Sequence, residues 1–100
     1  MTMEINWTPR AKADFNKILE YIYKGWGAKE VNNFIDKTDS VLESIAENPQ
    51  MFVESTRKKN VRKGFVTKHN SLFYKIRPRK EEIILLTFWD NRKDPKKRPY

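Results

Sequence analysis

The sequence predicts an α+β domain of order β-α-α-β-β-β, with a helix hairpin packed on one face of a small, mainly antiparallel sheet. Three observations predict it. Apolar residues recur at helical spacing through two successive registers in the first half, and three strand-like runs separated by polar turns fill Val61 to Arg92. Charge divides the same way: residues 51–100 hold 15 Lys and Arg against 5 Asp and Glu, a balance of +10, while residues 1–50 hold 6 against 8, a balance of −2. One half scaffolds and the other presents cations.

Taken in order, Glu4 to Trp7 alternates as a short strand, with Ile5 and Trp7 in one phase. Thr8 before Pro9 is a helix start: the hydroxyl can accept an orphan amide, and proline gives up no needed donor. Ala11, Phe15, Ile18, Leu19, Ile22 and Trp26 then mark one helical face opposite Lys12, Asp14, Lys17, Glu20 and Lys24, and Gly25-Trp26-Gly27 ends the helix. The second register runs through Val31, Phe34, Ile35, Thr38, Leu42 and Ile45 to Asn48-Pro49, where proline pushes the preceding residue out of helical space. The apolar residues of this hairpin, Trp26 among them, are assigned to the core and given no chemistry.

Gln50 to Lys59 lacks a period and reads as a loop ending in Arg57-Lys58-Lys59. Val61 to Phe65 is a strand weakened by Gly64. Lys68 to Ser71 supplies turn chemistry. Leu72, Tyr74 and Ile76 alternate with Phe73, Lys75 and Arg77 as a half-buried strand does, and Pro78 to Glu81 is the next turn. Ile83 to Trp89 is apolar in both phases, as suits a central strand covered on both faces. The tail, residues 90–100, is polar with two prolines and is not expected to pack as a regular element.

At 100 residues the chain reads as a single domain spanning 1–100. It has no Cys and one His, which excludes disulfides, Cys-ligated zinc, a Cys–His pair and a His-rich metal site, so neither metal nor cofactor is implied. The N-terminus lacks a basic region followed by an apolar run, and no segment approaches the ~18 uncharged residues of a membrane span. The cytoplasm is expected. A net charge of +8 and a pI near 9.8 favour a polyanion or an acidic protein as partner.

The candidate binding residues are Arg57, Lys58, Lys59, Arg62, Lys63, Lys68, His69 and Arg92, close in sequence to Phe73, Tyr74, Trp89 and Tyr100. Guanidinium groups beside flat rings bind phosphates and stack on unpaired bases. Such a set can also stabilise the pentavalent phosphate of RNA cleavage without metal. Ser71, His69 and Asp90 have no spacing that supports a nucleophile triad, and Gly25, Gly27 and Gly64 make no phosphate loop.

Several stretches carry a family likeness: Trp7-Thr8-Pro9-Arg10-Ala11 to Phe15, Glu47-Asn48-Pro49, Lys68-His69-Asn70-Ser71-Leu72-Phe73-Tyr74-Lys75-Ile76, and Ile84 to Pro95. With these the chain resembles the RelE/ParE superfamily of toxins from bacterial type II toxin–antitoxin systems, and its ending is most like the ParE-type, plasmid-stabilisation members. The resemblance implies a toxin neutralised by a cognate antitoxin, whose target is DNA gyrase in ParE-like members or the ribosome and its mRNA in RelE-like endonucleases. In the nuclease case it implies catalytic roles for Arg92, Arg62 and Tyr100. The arginine those nucleases place before the third strand is Ser71 here, a departure that favours the gyrase target, which needs no catalytic set. A non-toxic basic module that binds RNA or protein is the remaining alternative.

Overall fold

The structure, a computed structural model, describes residues 2–100. The chain runs β1 (Glu4–Trp7), α1 (Pro9–Trp26), α2 (Ala28–Glu47), β2 (Val61–Phe65), β3 (Asn70–Arg77) and β4 (Glu82–Asp90), with single 3-10 turns at Pro78–Lys80 and Pro95–Lys97. Strand order across the sheet is β1-β4-β3-β2. β4 is antiparallel to β3, β3 to β2, and β1 lies parallel to β4, with Ile5 opposite Ile83.

The predicted helix start forms as the residue types require. The Thr8 hydroxyl oxygen accepts from the Ala11 amide at 3.1 Å and donates toward the Leu85 and Leu86 carbonyls at 2.9 and 3.0 Å, so one side chain caps α1 and ties it to β4. Gly27 separates the helices at φ +87°, a conformation a Cβ would strain, and its N–H closes α1 on the Tyr23 carbonyl. The hairpin lays Ala11, Leu42 and Ile45 against Leu72, Tyr74, Ile83 and Leu85 of the sheet. An aromatic cluster closes one end of this core: Phe15 meets Trp7 edge-on at 5.2 Å, Phe88 at 5.3 Å and Phe34 at 5.8 Å. No helix among the described residues is long and apolar enough to cross a membrane.

Three expectations are corrected. Trp26 is 64% exposed: the helix carries it past the end of the sheet, where the core has no surface to offer. β3 is covered on both faces rather than half-buried, since Phe73 is only 1% exposed. The reason is the tail, which does not stay unstructured: Asp94 accepts from the Lys96 amide to start the Pro95–Lys97 turn, and the Tyr100 ring reaches Phe73 at 5.6 Å. The outer edge of β2 is covered as well. Glu54 bridges Arg62 as a fragment of a fifth strand, with Ser55 N–H donating to the Val61 carbonyl and Lys63 N–H to the Val53 carbonyl.

Gly64 marks a close approach. A Cβ there would meet Leu72 and Phe52 side-chain carbons at 3.2 Å, so the glycine lets loop 50–60 fold down over the sheet.

Candidate functional site

A groove of about 420 Å³ opens where the helix hairpin overhangs the end of the sheet. α1 contributes Ile18, Tyr21, Ile22 and Trp26 to its wall, α2 contributes Phe34 and Lys37, and Phe88 forms part of its floor. The β2–β3 turn and the end of β4 supply the polar rim with His69, Asp90, Arg92 and Lys93. Tyr21 and Trp26 stand 57% and 64% exposed with ring centroids 6.0 Å apart, an aromatic lip at the groove mouth.

The rim is held by short polar bonds. Thr67 Oγ1 accepts from the His69 and Asn70 amides, a turn that the hydroxyl stabilises locally. Asn91 then fastens this turn to the end of β4: it accepts from the buried Ser71 hydroxyl at 2.8 Å, and its own N–H donates to the His69 carbonyl at 2.8 Å. Asp90 takes Arg92 through Nε at 2.9 Å and a terminal nitrogen at 2.8 Å. Chiefly because of that bond, the Asp90 carboxyl is lowered to about 2, and the Arg92 guanidinium is raised above its ordinary value with the Tyr21 hydroxyl adding to the effect.

The sequence-predicted residues divide between places. His69 and Arg92 meet at the groove, joined there by Lys17, Lys37 and Lys93. Arg62 lies on the helical side of the sheet, where its guanidinium donates to the Phe52 carbonyl at 2.5 Å and faces Glu54 at 3.8 Å, pinning the loop. Lys63 and Tyr100 belong to the opposite, open face, with Lys63 paired to Phe73 in the strand register and its ammonium 5.3 Å from the Phe65 ring. Arg57 reaches the tail, donating to the Arg98 carbonyl at 2.6 Å and the Pro95 carbonyl at 3.4 Å. Lys58, Lys59 and Lys68 are exposed in loops. Arg92, Arg62 and Tyr100 are therefore not brought together.

Sequence reasoning missed the aromatic lip and Arg98. Trp26 kept helical phase with core residues, and only its position between Gly25 and Gly27 signalled that the helix was ending beyond the sheet. Nothing in the polar tail distinguished Arg98 from Lys96 or Lys97.

The same architecture recurs in solved structures. The chromosomal ParDE system of P. aeruginosa superposes with a TM-score of 0.73 at 16% identity, covering 89% of this chain and 96% of that one. A mutant of the E. coli toxin RelE in the free state gives 0.62 at 14%, covering 90% and 84%, and the S. aureus YoeB dimer gives 0.60 at 15%, covering 87% and 94%. At these identities the likeness is one of fold. No curated protein sequence matches the chain significantly. Residues 5–95 match the family described as ParE toxin of the type II toxin–antitoxin system parDE, so the chain belongs to the ParE toxins of the RelE/ParE superfamily.

Proposed function

We propose that the protein is neutralised by a cognate antitoxin and acts, when free, by ParE-like inhibition of DNA gyrase rather than by cleaving RNA. The observation that carries this reading is the dispersal of Arg92, Arg62 and Tyr100 over three separate surroundings, the two arginines held by hydrogen bonds and Tyr100 by a ring contact with Phe73. A metal-free RNA-cleaving site needs its charge stabiliser and proton donor converged on one phosphate. Arg92 in particular already gives two donors to Asp90.

What the surface offers instead is a binding groove with an aromatic lip and a cationic rim. Tyr21 and Trp26 are the residue types that anchor protein partners, and the groove lies beside the sheet end that the basic half supplies. An antitoxin segment with apolar anchors and acidic flanks fits it.

The test is induced expression with and without the adjacent candidate antitoxin gene. Plasmid supercoiling, the DNA-damage response and translation are followed together. Loss of supercoiling with continued translation, relieved by the neighbour, is the expected result. Translation arrest with mRNA cut inside codons on ribosomes would replace this reading by the RelE-like endonuclease, and harmless expression by the non-toxic binding module.

A further inference from the structure

β1 closes the sheet on the side away from β2, and its outer edge is unpaired. The Glu4 N–H donates to the Glu81 carbonyl and the Thr8 N–H to the Leu85 carbonyl, each at 3.1 Å, so these residues turn their peptide groups inward to β4. Successive residues of a strand aim their N–H and C=O to opposite sides, which turns those of Ile5 and Trp7 outward. α2 covers only the start of that edge, where the Met3 N–H donates to the Ala46 carbonyl at 2.9 Å. Among the described residues no backbone bond engages Ile5 or Trp7 on the outer side.

Beside the open stretch lies a second cavity, of about 360 Å³. Ile5, Trp7, Leu42 and Ala46 give it an apolar floor, and α2 lines its lip with Asp39, Glu43 and Glu47. These three carboxylates are exposed, recur every fourth residue along one helical face, and enter no ion pair among the described residues. Left alone, the arrangement is unfavourable twice over. Like charges four residues apart repel along a helix, and Glu47 ends α2, where the dipole prefers a cation and the last turn has no basic residue. A chain of net charge +8 thus keeps an uncompensated acidic row where its sheet is open.

We propose that β1 accepts an added strand, an extended basic polypeptide segment with Lys or Arg at alternate positions. Main-chain bonds to Ile5 and Trp7 would align it. Every second side chain would enter the cavity, laying its aliphatic stem on Leu42 and Ala46 and its cationic head against the carboxylates. Charge selects this occupant over others: an acidic segment or a nucleic acid is repelled, and pairing β1 with β1 of a second copy would bring two acidic rows together. No residue lines both this cavity and the groove under Tyr21 and Trp26, so the site does not depend on the reading of the antitoxin or of the cellular target.

The experiment titrates the full chain, at constant ionic strength, with the acetylated and amidated peptide Arg-Val-Arg-Val-Arg-Val, following backbone amide resonances and amide exchange. Saturable shifts centred on Ile5 and Trp7 are expected, with slowed exchange of both amides. The same peptide N-methylated at every residue, which cannot complete a strand, should bind about tenfold or more weakly. Glu43→Gln combined with Glu47→Gln should weaken binding by about tenfold while the Tm of the free protein stays level or rises, because repulsion along α2 is relieved. Trp26→Ala should leave binding unchanged. Equal affinity for the peptide carrying Glu in place of Arg, undiminished affinity after methylation or in the Gln variant, or shifts confined to the groove at Trp26 would overturn the proposal. Concentration-dependent shifts of Ile5 and Trp7 in the protein alone would overturn it too, by assigning the edge to a second copy.

Discussion

The Asp90 carboxylate and the Arg92 guanidinium form a two-point contact at the groove rim, 2.9 Å from Nε and 2.8 Å from a terminal nitrogen, within a single turn of chain. Because the two residues are almost adjacent, the contact closes with little loss of chain entropy. Arg92 thus meets any partner as half of an ion pair.

Asp90 titrates accordingly. Its folded pKa of about 2 lies below the ordinary 3.8, so its stabilising contribution is complete above about pH 4 and is lost as pH falls toward 2. The pair is solvent-screened, and Asp90→Asn should cost less than ~1 kcal/mol in urea unfolding at pH 7. The acid limb of the stability profile should flatten in the variant; an unaltered limb between pH 4 and 2 would mean that the contact does not persist in solution.

Tyr74 predicts the alkaline limb. Its ring is fully buried, its hydroxyl donates to the Pro49 carbonyl at 2.7 Å, and burial pushes the phenol up to about 12. A raised folded pKa means stability that is intact below about pH 10 and is lost as pH climbs from 10 to 12. Tyr74→Phe should cost about 1–2 kcal/mol at pH 7 by stranding the Pro49 carbonyl. It should also remove the steepest part of the alkaline loss, read by fluorescence-monitored unfolding.

At Gly64 a methyl group would crowd the Phe52 and Leu72 side chains. Gly64→Ala should destabilise the protein by about 1–3 kcal/mol, because Phe52 or Leu72 must move. Pairing it with Phe52→Ala should recover part of the loss, as residues sharing a contact are not additive. Strictly additive penalties in denaturant midpoints would refute the contact.

Trp26→Ala separates binding from folding. The residue is mostly exposed, so stability should change by no more than ~0.5 kcal/mol. Affinity for the antitoxin should fall by ~2 kcal/mol or more if the lip is an anchor, as calorimetry would measure. Unchanged affinity would place the antitoxin elsewhere.

Reversing Lys58, Lys59 and Lys63 to Glu should act on rates. Charges outside the groove still steer encounter through the field of the basic half, so association with the antitoxin should slow and its salt dependence flatten, with a smaller effect on dissociation. Stopped-flow mixing at two ionic strengths reads both. An association rate and salt slope equal to those of the parent would assign the basic half to the cellular target.

The fold was legible because its signals are local and redundant. Thr8-Pro9, Gly27 and Asn48-Pro49 punctuate the helices in residue types that have one structural use each, and the two-phase apolarity of Ile83 to Trp89 marked β4 as the central strand that it is. What escaped was set by long-range contact. Phe73 and Tyr100 are separated by the whole of β4 and the tail, so the covering of the open face left no periodic trace. Arg62, read as a binding residue, differs from Lys63 only in pointing to the other side of a strand whose facing loop has no pattern of its own. In a run of cations, composition reports the charge; only the pleat decides which of them meet water.

The parallel pairing of β1 with β4 has a consequence for how the protein is made. Glu4 lies against Glu82 and Trp7 against Leu85, so β1 leaves the ribosome with no hydrogen-bonded strand neighbour until both helices, β2, β3 and β4 have followed it. The helices can form early, but Thr8 finds the carbonyls of Leu85 and Leu86 only once β4 has been made. Joining ends so far apart carries a loop-closure cost that is repaid only by the finished sheet. A nascent chain that stops short of β4 is accordingly no shorter version of the toxin: completion of the fold, and with it of the groove rim at Asp90 and Arg92, is deferred until those residues have been made.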